Sequence, residues 1–66
     1  MWNITLNKDS ETPLYIQIAE YIKKLIDENQ IEDDKLPSIR QLAKHLDVNN
    51  VTTVNAYKLL EQDGYV

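Results

Sequence analysis

Residues 36–60 read LPSIRQLAKHLDVNNVTTVNAYKLL, and this stretch decides the fold. Pro37 disfavours helix at Leu36. Ser38 is then the N-cap, and Gln41 three residues on completes a capping box. Ile39, Leu42, Ala43 and Leu46 make the apolar face of a helix about two turns long. Asp47-Val48-Asn49 follows as a tight turn. Asn49 is placed to cap a further helix running to about Asp63, with Gly64 at the position after its end. Thr53, Ala56, Tyr57 and Leu60 fall at i, i+3, i+4 and i+7 and return an apolar stripe toward Leu42 and Leu46. Ala43 is small where the two helices approach, and Val48 plugs the turn. Two short helices joined by such a turn form a helix-turn-helix. A rival register would bury Val51, Val54 and Tyr57. The first register is preferred because it also buries Leu60 and leaves the helix N-terminus polar. Two residues fit it poorly. Asp47 stands where the turn commonly uses glycine, and Thr53 stands where a branched aliphatic would pack better.

The chain upstream extends this core. Tyr15, Ile18, Ala19, Ile22, Leu25 and Ile26 form a second helical stripe, with Gln17, Glu20, Lys23, Lys24, Asp27 and Glu28 on the other side. Pro13 suits the first turn of this helix, with Thr12 as its N-cap. Asn29 suits its end, because asparagine tolerates the left-handed conformation. Ile16 and Tyr21 lie at the margins of the stripe. Residues 2–6 alternate, with Trp2, Ile4 and Leu6 on one side, and read as a short strand or extended arm.

The fold expected is therefore mainly α: a three-helix helix-turn-helix core with a short N-terminal arm. The arm takes residues 1–12 and the domain residues 13–66.

Composition excludes several functions. A 66-residue chain is one small domain. With no cysteine and a single histidine, His45, it has neither a disulfide framework nor a thiolate or histidine-rich metal site. No apolar run approaches a membrane span, and MWNITLNKDSE is not a signal peptide. No catalytic Ser/His/Asp set, phosphate loop or metal cluster is visible, so no enzyme and no cofactor is expected. The acidic residues between Glu20 and Asp34 read as a solvated face and loop. Charge is uneven. Residues 1–34 hold three lysines against eight carboxylates, whereas residues 35–66 hold four cations against three carboxylates. A nucleic-acid surface would come from the second half.

Leu36-Pro37-Ser38-Ile39-Arg40-Gln41-Leu42-Ala43, then Leu46 and Val48, Thr52, Ala56-Tyr57, Leu60-Glu61 and Gly64-Tyr65 resemble the N-terminal winged-helix domain of GntR-type bacterial transcription regulators. Pro13-Leu14-Tyr15-Ile16-Gln17-Ile18 resembles the start of that family's first helix. The start and the tyrosine after Ala56 look most like the YtrA branch or the branch fused to an aminotransferase-like domain. The resemblance implies a two-stranded wing beyond Gly64-Tyr65 and a C-terminal effector-binding or dimerisation domain. On this expectation the wing is truncated and the C-terminal domain absent here. The chain departs from the family at Asn49-Asn50, where Ser-Arg is usual, at Thr53, where valine is usual, and in a shorter, glycine-free loop before Leu36. That arginine contacts DNA in the family.

The resemblance implies sequence-specific binding of a double-stranded DNA operator by a cytoplasmic one-component regulator that dimerises and takes a small-molecule effector through its missing domain. The recognition helix, about residues 50–63, would enter the major groove. Asn49, Asn50, Val51, Thr52 and Asn55 would meet it. Lys35, Arg40 and Lys44, with Lys58 further along, would supply cations, and Ser38 would present the helix N-terminus to a phosphate. Asparagine pairs with adenine where arginine prefers guanine, so Asn50 implies an A·T-leaning site, with Val51 against a thymine methyl. Each residue also has a plainer role. Ser38 and Asn49 are caps in any case, Arg40 is able to pair with an acidic loop residue, and Tyr57 belongs to the core. The acidic balance and the lost arginine favour an alternative, a winged-helix-like module that binds protein. Steep salt dependence of DNA binding separates the two.

Overall fold

The computed structural model describes residues 4–32 and 35–66. Trp2, Asp33 and Asp34 lie outside the described residues. Three helices follow one another: α1 Leu14–Asp27, α2 Ile39–Leu46 and α3 Asn50–Gln62. Both α1 and α2 pack against α3. The fully buried residues are Ile18, Ala19 and Ile22 of α1, Leu42 of α2, and Thr53, Ala56 and Leu60 of α3, with Ala43 nearly so. Leu6, Leu36, Leu46, Val48, Tyr57 and Tyr65 close over this cluster. The preferred register of α3 is therefore the one adopted, and Val51 points outward at 62% exposure.

Each helix ends in the same way. Asn29, Asp47 and Gly64 take positive φ, at 58°, 56° and 79°. The next residue then donates its N–H five residues back: Gln30 to Leu25 at 2.8 Å, Val48 to Ala43 at 3.0 Å and Tyr65 to Leu60 at 2.8 Å. This is the Schellman closure, which satisfies carbonyls the helix leaves open. Asp47 accepts the strain that glycine would avoid. The capping box of α2 is complete, with Gln41 N–H on Ser38 Oγ at 3.1 Å and Ser38 N–H on Gln41 Oε1 at 3.3 Å. Asn49 caps α3, its Oδ1 accepting from Val51 N–H at 2.8 Å. α3 ends at Gln62, one residue before the expected Asp63.

The start of α1 differs from the sequence reading. Pro13 is itself the N-cap, extended at ψ 147°, and the helix opens at Leu14 without a side-chain cap. Thr12 does not cap it: the first helical N–H groups, of Ile16 and Gln17, end on the Pro13 carbonyl. Gln17, assigned to the polar face, turns back over the arm. Its Nε2 donates to the carbonyls of Asn7 at 2.9 Å and Thr12 at 2.8 Å, and its Oε1 accepts from Asn7 N–H at 2.9 Å. This staple lays Leu6 on the core. Ile4 and Leu6 are half-buried and Thr5 exposed, so the alternation holds there as an extended arm rather than a strand.

Two further polar tethers join distant elements. Tyr57 of α3 donates its hydroxyl to the Pro37 carbonyl at 2.6 Å, pinning the entry of α2. Lys23 of α1, placed on the solvated side by the sequence, pairs with Asp63 and lies 3.7 Å from Glu20. Its Nζ sits 5.6 Å from the Tyr65 ring, and Tyr65 donates to Asp27 Oδ2 at 3.0 Å. The hydrogen bond to Asp63 raises the Lys23 pKa, and that to Asp27 raises the Tyr65 pKa.

Thr53 Oγ1 is buried and has no hydrogen-bond partner. An orphaned buried hydroxyl costs about 1–3 kcal/mol. Thr53→Val should therefore stabilise the fold by about 1–2 kcal/mol, read as a higher urea midpoint at unchanged slope. Leu42→Ala should destabilise it by about 2–5 kcal/mol. That is a large part of the roughly 3–10 kcal/mol available to a domain of this size, so a broad, early melting curve is expected. Burial pushes the Tyr57 phenol from its ordinary 10.0 up to about 12. A raised folded pKa means stability is intact below about pH 10 and declines as pH rises toward 12. Denaturation of wild type and Tyr57→Phe across that range should show the extra alkaline loss only in wild type, while the variant is weaker by about 1 kcal/mol at neutral pH.

Candidate nucleic-acid interface

The tight turn sets the first residue of α3 beside the last turn of α2, and Tyr57 holds the entry of α2 against the middle of α3. Pro37 stops any helix upstream of Ser38, the capping box starts α2 at Ile39, and the left-handed Asp47 turns the chain so that Asn49 starts α3. Once Ser38 has taken the Gln41 N–H, the Ile39 and Arg40 N–H groups have no partner within the helix, which is the usual condition of a first turn. A positive dipole end and free N–H groups suit an anion.

The sequence-assigned residues divide into groups. Arg40, Lys44 and Asn50 come together with Gln41, Ala43 and Val48 around a concavity of about 440 Å³. Arg40 makes no ion pair with an acidic residue among the described residues. Lys35, Ser38, Arg40, Lys44, Asn49, Asn50, Val51 and Asn55 are all exposed, and Thr52 is half-buried at the margin of the face. Asn49 Oδ1 is committed to its cap, so only its amide N–H groups remain for an outside partner. Asn50 is the first residue of α3 and stands at its tip.

Asn55 lies elsewhere. It lines a second groove, of about 350 Å³, with Tyr15, Lys58, Leu59 and Gln62, along the edge of α3 next to α1. The sequence reading passed over Tyr15 and Gln62. The signal was present in the spacing Val51, Asn55, Lys58 and Gln62, at i, i+4, i+7 and i+11, which lines the outward side of one helix.

No helix among the described residues is long and apolar enough to cross a membrane. No group of three His, Cys, Asp or Glu residues among them is placed to hold a metal ion.

Comparison with known proteins agrees with this geometry. Residues 14–66 match the family of bacterial regulatory proteins, gntR family. The chain is 42% identical over 62 residues to the HTH-type transcriptional regulator YhdI of Bacillus subtilis (strain 168), covering 92% of this chain and 13% of that protein. It is 39% identical over 64 residues to the HTH-type transcriptional repressor YtrA of the same organism, covering 96% of this chain and 49% of the repressor. The solved structure of YtrA from Sulfolobus acidocaldarius, a GntR-family transcription factor, superposes with a TM-score of 0.86 at 45% identity, over 92% of this chain and 66% of that one. The chain thus spans about half of one curated relative and a small part of the other. With its three helices, its LPSIRQLA and AYKLLEQDGY motifs and its relatives in agreement, the chain belongs to the gntR family of bacterial regulatory proteins.

Proposed function

We propose that residues 13–66 are the DNA-reading head of a cytoplasmic one-component transcription regulator, binding a double-stranded operator with α3 in the major groove. The observation that carries this reading is the polar, outward tip of α3 beside the cations of α2. Asn50 shares a concavity with Arg40 and Lys44, and Val51 is 62% exposed next to it. An aliphatic residue left in water at a helix N-terminus suits apolar contact with a thymine methyl. The repressor and transcription-factor names of its relatives support the same reading.

In the complex, Asn50 reads an adenine edge through its amide and carbonyl. The α2 N-terminus and the Arg40, Lys44 and Lys35 side chains hold phosphates and set the register. The arm, described from residue 4 to residue 12, lies outside the proposed reading surface. The parent regulator continues into a wing and a C-terminal effector-binding or dimerisation domain. A dimer sets two heads on two half-sites one helical turn apart. No step of this function needs catalysis or a cofactor: the energy comes from phosphate neutralisation and base-edge hydrogen bonds.

If Lys35, Arg40, Lys44 and Lys58 all neutralise phosphates, log K against log salt should fall with a slope of about −3.6 per head, and twice that for a dimer. Binding indifferent to salt would instead favour a protein partner. Asn50→Ala should weaken specific binding by about 1–3 kcal/mol and relax preference at one base position. Selection from a randomised duplex pool reads this directly, and an unchanged preference at every position would refute the role of Asn50.

A further inference from the structure

A recognition helix with its side chains is about 10–12 Å across, and the major groove is about 12 Å wide. A helix that fills the groove therefore has a phosphate backbone along each flank. The Arg40 and Lys44 concavity lies on the α2 flank of α3, the side of one strand in the DNA-binding reading. The opposite, α1 flank carries the groove of Tyr15, Asn55, Lys58, Leu59 and Gln62.

We propose that Tyr15, Asn55, Lys58 and Gln62 form a second phosphate cradle, which holds the DNA strand opposite the one held by Arg40 and Lys44. This inference rests on the DNA-binding reading above and assigns α1 a direct part in it.

Five observations carry it. Every polar side chain of this groove can donate a hydrogen bond: a phenol, two amides and an ammonium. No carboxylate lines it, so it suits an anion rather than a cation. Neither Lys58 nor Tyr15 has a hydrogen bond or ion pair among the described residues, whereas Lys23 on the same helical pair is engaged by Asp63. Tyr15 packs against the core and also lines the groove, so its side chain has little freedom to lose on binding. Asn55 and Lys58 also continue the outward stripe that begins at Val51, so the groove is contiguous with the reading tip. Glu61 lines the adjoining hollow with Lys58 and Gln62 and marks the limit of the donor surface.

The test uses the operator duplex that the wild-type protein itself selects from a random-centre pool. Anisotropy titrations over a range of NaCl concentrations and phosphate-ethylation interference are run on wild type, Lys58→Gln, Tyr15→Phe and, as a control remote from both grooves, Lys24→Gln. Lys58→Gln is expected to bind about three- to tenfold more weakly, with a salt slope shallower by about 0.9 per head and unchanged base preference. Tyr15→Phe keeps the ring and the slope but should lose interference at the same phosphates, all on one strand. Lys24→Gln should match wild type. If either Lys58→Gln or Tyr15→Phe keeps the wild-type ethylation pattern, the cradle is overturned while DNA binding stands. If wild type selects no duplex, the cradle and the DNA-binding reading fall together.

Discussion

α3 has to face two environments at once, and the rest of the molecule is arranged around that demand. Its inner stripe, Thr53, Ala56 and Leu60, is the surface on which α1 and α2 both pack. The stripe takes Ile18 and Ile22 from one side and Leu42 from the other, so a single helix holds the core together. What remains for solvent is a narrow outward band from Asn50 to Gln62. Its exposed residues are polar except Val51, and its direction is fixed by the burial on its far side. Reading surface and core are thus two faces of one rod, and turning the rod to improve one would degrade the other.

The polar tethers follow from the small size of that core. A chain this short buries only about 60% of its unfolded surface. Hydrogen bonds between remote elements then carry orientation that packing alone would leave loose. Tyr57 on the Pro37 carbonyl sets where α2 begins, and Lys23 with Asp63 fastens α1 to the last turn of α3. The substitution of Asn49-Asn50 for the family's usual Ser-Arg keeps the cap and removes a charge. In the proposed complex, affinity would lean more heavily on Arg40, Lys44 and the other cations, and specificity on base-edge hydrogen bonds.

Local signals carried most of this architecture. Ser38 with Gln41, Asn49, Asn29 and Gly64 are short-range instructions that act within one turn of helix, and each operates as the sequence implies. The stripes that select the core are also local, which is why Thr53 rather than Val51 is correctly placed inside. What escaped were contacts between residues far apart in the chain. Gln17 reaching Asn7, Tyr57 reaching Pro37 and Lys23 reaching Asp63 depend on how helices cross, and no periodicity encodes that. The groove beside Tyr15 escaped for the same reason, since it exists only once α1 lies against α3. Pro13 was misassigned by one position: its ψ is extended and its carbonyl accepts the first helical bonds, so it is the cap rather than the first helical residue.

The Gln17 staple ends only on main-chain atoms: the N–H and carbonyl of Asn7 and the carbonyl of Thr12. Those atoms are present whatever side chains occupy positions 7 and 12, proline at 7 excepted. The staple itself is therefore indifferent to the side chains at 7 and 12, although Asn7 Oδ1 and Ser10 Oγ accept N–H groups within the arm and Leu6 rests on the core, while Gln17 is confined to an amide. Glutamate has no hydrogens for the two carbonyls, and a shorter asparagine lacks the reach. Tolerance to substitution around the staple is thus lopsided: its main-chain ends admit change at their own positions, while Gln17 admits almost none.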